Sequence, residues 1–76
     1  MLKIKGSQLQ DVAKPGMLLQ FDDSLYIIVC LAERFDKHDL SCCRLNVFSL
    51  ECKEFWFQFG FYEYEDIVLF SEDFDA

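Results

Sequence analysis

The sequence predicts a small, mainly β domain, and three observations carry that expectation. Of the 76 residues, 53% are hydrophobic and 17% aromatic, far more than a disordered acidic segment carries. Apolar runs are separated by compact turn clusters, Pro15-Gly16 and Asp22-Asp23-Ser24 among them, which punctuate strands. Residues 40–59 alternate with the period of two that a half-buried strand shows. A chain this short is a single domain.

Each element follows in order. Leu2 and Ile4 alternate with Lys3 and Lys5, as a short edge strand would. Residues 7–13 predict a helical turn capped by Ser7, and Lys14 must leave the helical region because Pro15 follows it. Residues 17–21 then form a strand, ended by the Asp22-Asp23-Ser24 turn. Residues 25–32 run as Leu-Tyr-Ile-Ile-Val-Cys-Leu-Ala, the pattern of a strand buried on both faces. Residues 33–39 are charged and predict a solvent loop. Residues 40–50 and 51–59 form a second strand pair turning near Ser49-Leu50-Glu51. In the first of these, Cys43, Leu45 and Val47 share one face, expected to be the core face. In the second, Phe55, Phe57 and Phe59 form an apparent core stripe, with Cys52, Glu54, Trp56 and Gln58 opposite. Gly60 interrupts the aromatic run, residues 61–66 read as a turn, and residues 67–70 form a last strand before an acidic tail that frays.

The longest apolar run, residues 25–32, is far short of the roughly 18–20 residues of a spanning helix. The alternating start lacks the basic and apolar blocks of a secretory signal, so a cytoplasmic location is expected. In that reducing setting the four cysteines, Cys30, Cys42, Cys43 and Cys52, are expected to be free thiols behaving as small buried hydrophobes. A zinc site drawing on these cysteines and His38 fits none of the usual spacings, and no cofactor or metal is expected.

The order of Lys14-Pro15-Gly16-Met17-Leu18-Leu19 opening a strand, a strand pair, an aromatic second pair, and a turn into Glu65-Asp66-Ile67-Val68-Leu69-Phe70 resembles the Src-homology-3-like small β-barrels, of the kind common in small phage-encoded proteins. The resemblance implies a five-stranded antiparallel barrel over residues 15–70, with residues 1–14 as an N-terminal extension and 71–76 as an acidic tail. It also implies binding in preference to catalysis, although a fold does not fix a function.

The chemistry agrees with binding. The single histidine, His38, lies in the charged loop, no serine or cysteine has a nucleophile motif around it, and the three glycines form no phosphate cradle; the chain is not expected to be an enzyme. Residues 15–76 hold 4 basic residues against 13 acidic ones, which excludes direct nucleic-acid binding, since phosphates need Lys or Arg. With the sign reversed, the formal charge of −7 suits a basic protein partner, such as a nucleic-acid-binding protein whose phosphates this surface would mimic. The alternative is that acidity only keeps an apolar domain soluble.

Candidate contact residues are Trp56 and Glu54, the turn residues Tyr62, Glu63, Tyr64, Glu65 and Asp66, and the hairpin acids Asp22 and Asp23. Trp56 stands for an interface aromatic, or else for a cap on the barrel mouth. The first expectation is a non-enzymatic interaction module, a phage accessory protein that binds and inhibits a host protein in the host cytoplasm. The second is a virion decoration or assembly subunit, since a 76-residue frame cannot hide all its aromatics, and such a subunit would form homo-oligomers. The third is a metal or thiol site. No membrane partner is expected.

Overall fold

A computed structural model of the chain describes residues 1–31 and 43–70. Their elements are β1 (Leu2–Lys5), α1 (Gly6–Val12), β2 (Leu18–Phe21), β3 (Ser24–Leu31), β4 (Cys43–Ser49), β5 (Glu54–Phe61) and β6 (Asp66–Phe70). The strands form one antiparallel sheet in the order β1-β6-β2-β3-β4-β5. The mainly β expectation holds. The closed five-stranded barrel is not what is seen: there are six strands among the described residues, in a sheet that does not close. The sixth is β1, from the segment read as an extension; Ile4 pairs with Ile67 and Leu2 with Leu69. The expected charged loop, with Asp36 and His38, the expected acidic tail, with Glu72, Asp73 and Asp75, and Cys42 of the expected strand 40–50 lie outside the described residues.

The turns follow from local chemistry. Gly16 has φ 92 and Met17 donates its N–H to the Lys14 carbonyl at 3.2 Å, so Lys14-Pro15-Gly16-Met17 is a type II turn, with glycine at the position that requires positive φ. Asp22 and Asp23 both sit at positive φ, 51 and 67, joining β2 and β3 with the two-residue geometry whose twist matches the strands. Between β4 and β5, the buried Ser49 hydroxyl accepts the Cys52 N–H at 3.1 Å and the Ser49 carbonyl accepts the Lys53 N–H at 2.8 Å.

Helix α1 starts two residues earlier than the expected Ser7 cap, with Lys5 as its N-cap residue. No serine cap is needed, because the Gly6 and Ser7 N–H groups donate to the carbonyls of Glu65 and Glu63, which satisfies helix-end donors from another part of the fold. Leu9 and Ala13, four residues apart, turn inward and are buried, and α1 packs on β1 and β4.

The core gathers Ile4, Leu9, Leu19, Tyr26, Ile28, Cys43, Leu45, Val47, Phe61, Ile67 and Leu69, with Phe21, Trp56 and Phe59 packed against it. The expected core face of β4 is therefore the observed one. Strand β3 differs from expectation: Tyr26 and Ile28 are buried, whereas Leu25 and Val29 are exposed, because the sheet buries one face, and Leu31, opposite Leu45 at the last position of the strand, is exposed as well. The other face carries a row set by register, Leu18 beside Ile27, Ile27 beside Phe48 and Phe48 beside Phe55.

The largest departure is in β5. Trp56 lies opposite Val47 and Phe59 opposite Leu45, so Phe57 and Gln58 together face the single residue Asn46, a β-bulge. Gln58 takes φ 55 to make it. The extra residue inverts the alternation: Trp56, Phe59 and Phe61 face the core, while Phe55 and Phe57 are 59% and 73% exposed. The expected stripe of three phenylalanines is thus split. A second bulge lies across the same residue, since Ile28 pairs with Val47 and Cys30 with Asn46, leaving Val29 extra. Asn46 serves both sides. Its Oδ1 accepts the Gln58 N–H at 2.9 Å and its Nδ2 donates to Cys30 Sγ at 3.2 Å.

Candidate functional site

The turn between β5 and β6 is built by its own backbone and by the N-terminal segment. Glu65 donates its N–H to the Tyr62 carbonyl at 3.2 Å, while its side-chain Oε2 accepts the Tyr62 N–H at 3.1 Å. From the far end of the chain, the Gly6 N–H reaches the Glu65 carbonyl at 2.9 Å and the Ser7 N–H the Glu63 carbonyl at 3.3 Å. Lys5 Nζ meets Asp66 Oδ1 at 2.6 Å. Gly6 can approach so closely only because it lacks a side chain: a Cβ there would run into the Tyr62 carbonyl oxygen.

Fixed in this way, Tyr62 and Tyr64 present two parallel rings, 1° apart in tilt with centroids 5.8 Å apart. They are 41% and 69% exposed. Glu63 and Asp66 are exposed beside them and Glu65 is half-buried. The result is an acidic turn bearing an offset aromatic stack, with an apolar face to bury and phenol groups to bond.

A second acidic group forms at the hairpin end. Asp22 and Asp23 are exposed on their turn, and Ser24 Oγ donates to Glu51 Oε2 at 3.0 Å. A shallow recess of about 280 Å³ is lined by Asp23, Ser24, Leu25, Leu50 and Glu51. Glu54, exposed at the start of β5, pairs with Ser49.

The expected site is therefore divided between Tyr62–Asp66 and the hairpin acids Asp22-Asp23 with Glu51, while Glu54 stands at the start of β5 and Trp56 belongs to neither group. Trp56 is on the core face, half-buried, with its ring 5.5 Å from Tyr26 and 5.6 Å from Phe59. It is a packing residue, and its placement on a polar face is corrected by the bulge. Three participants went unread in the sequence: Lys5, Gly6 and Glu51. The signal for Gly6 was available, a glycine just before a helical segment, where close approach is a standing reason for one.

Among the described residues, no three of His, Cys, Asp and Glu come together in a way that could hold a metal ion. Of the free cysteines Cys43 is buried, Cys30 is half-buried and Cys52 is exposed, so the expectation of buried thiols fails at Cys52. No helix among the described residues is long and apolar enough to cross a membrane. Comparisons with protein-family models, with curated proteins and with solved structures find no match.

Proposed function

We propose that this chain is a non-enzymatic protein-interaction module that binds a basic protein partner through the acidic, aromatic turn Tyr62–Asp66. The observation that carries the reading is the exposed parallel pair Tyr62 and Tyr64 set among Glu63, Glu65 and Asp66. Exposed tyrosines supply large contact area at low entropic cost, and the surrounding carboxylates steer a positively charged surface toward them. A phage accessory protein that inhibits a host nucleic-acid-binding protein by standing in for its phosphates is the specific form of this proposal. Kinship with the Src-homology-3-like frames belongs to it too, supported by the pairing of β2 with β6, which joins the first and last strands of residues 15–70.

The test is capture from a bacterial lysate on the immobilised chain at low and at high salt, followed by titration of the captured protein. Binding should weaken steeply with salt and should fall about tenfold or more on Tyr62→Ser combined with Tyr64→Ser. An affinity that ignores both salt and the tyrosines sinks the reading. A second reading, an assembly subunit, is favoured by the exposed Phe55 and Phe57 and predicts association of copies.

A further inference from the structure

The two edges of the sheet are unequally protected. β1 carries Lys3 and Lys5 in a four-residue strand, and lysines on a short strand are a standard guard against edge pairing. β5 is eight residues long, and among the described residues it pairs with β4 alone. Its sequence, Glu-Phe-Trp-Phe-Gln-Phe-Gly-Phe, contains one charged residue, at its first position. The outward backbone N–H and C=O groups of an exposed edge strand are a ready template for pairing with another chain.

We propose that β5 pairs antiparallel with β5 of a second copy of this chain, through residues 54–57, the part that precedes the bulge. Antiparallel pairing of a strand with itself has a two-fold axis, the symmetry of most homodimers, so β5 is its own complement. Phe55 and Phe57, 59% and 73% exposed, expose about 260 Å² per copy on the scale of 150–250 Å² for an aromatic side chain. Complete coverage of these rings in both copies would supply about half of the roughly 1,000 Å² that a specific interface needs, and edge pairing covers only their flanks. The paired backbones lie at hand for the remainder. The dimer is therefore a weak one, set by protein concentration. This inference does not rest on the acidic-turn reading, and salt separates the two: screening relieves repulsion between copies that each carry a formal charge of −7, so salt strengthens the dimer while it weakens capture of a basic partner.

The experiment is sedimentation velocity on the whole chain from micromolar to millimolar concentration at low and high salt. A reducing agent keeps Cys52 from forming a disulfide. Alongside it, hydrogen exchange of the amides of residues 54–57 is followed at the same concentrations. A reversible dimer, tighter at high salt, with amide protection that rises with concentration, is the expected result. Phe57→Lys should weaken the dimer at least about tenfold, with an unchanged circular dichroism spectrum establishing that the variant is folded. A chain that stays monomeric to millimolar concentration overturns the proposal. So does a dimer that Phe57→Lys leaves intact, or exchange at residues 54–57 that is independent of concentration.

Discussion

Replacing Trp56 by alanine and, separately, Phe57 by alanine discriminates between the two possible phases of β5. The Trp56 ring is in contact distance of Tyr26 and Phe59, 5.5 and 5.6 Å between centroids, and such pairs are worth about 0.5–1.5 kcal/mol each beyond their burial. Truncating a core Trp costs about 3–5 kcal/mol; Trp56 is half-buried, which places its loss near the bottom of that range, at about 3 kcal/mol. At about 4–8 °C per kcal/mol for a domain this small, Trp56→Ala should lower Tm by roughly 12–24 °C. Phe57 is 73% exposed, and its truncation should change stability by no more than about 0.5 kcal/mol. Thermal unfolding followed by far-ultraviolet circular dichroism, at one dilute protein concentration so that association does not enter, measures both. Equal losses, or a larger loss for Phe57→Ala, would show that β5 runs in regular alternation and that the bulge is not there.

Two further predictions concern the joints of the fold. Gly6→Ala drives a Cβ into the Tyr62 carbonyl oxygen; overpacking of this kind costs about 1–3 kcal/mol, and the displaced turn should bind its partner more weakly, both measurable by urea unfolding and by titration. Asn46→Ala removes the acceptor for the Gln58 N–H and the donor to Cys30 Sγ and should cost about 1–2 kcal/mol. Asn46→Asp, which keeps the acceptor, should cost less, read as a smaller fall in urea midpoint at unchanged slope.

The difference between what the sequence reveals and what it hides is local. The inward face of β4 was legible because Cys43, Leu45 and Val47 alternate without interruption against polar neighbours. The Asp22-Asp23 hairpin was legible because its residues are those the turn demands. β5 was not, because its bulge is made by Gln58 at φ 55 where a glycine would have announced it, and because phenylalanine occupies both the buried and the exposed positions. The helix start was misplaced for a tertiary reason: carbonyls from Glu63 and Glu65 do what a serine cap would have done. The acidic character of the turn at 62–66 could be read directly, but its dependence on Lys5 and Gly6, nearly sixty residues away, is a property of the folded chain.

The placement of both bulges against Asn46 sets where the chain can change length. Deleting Val29 from β3, or Phe57 from β5, would return that strand to regular alternation and leave every other core residue on its present side. Deleting a neighbour such as Trp56 would instead remove a core residue. Single-residue insertions and deletions among variants of this chain should therefore concentrate at these two positions, a record of strand length that substitution patterns alone would not reveal.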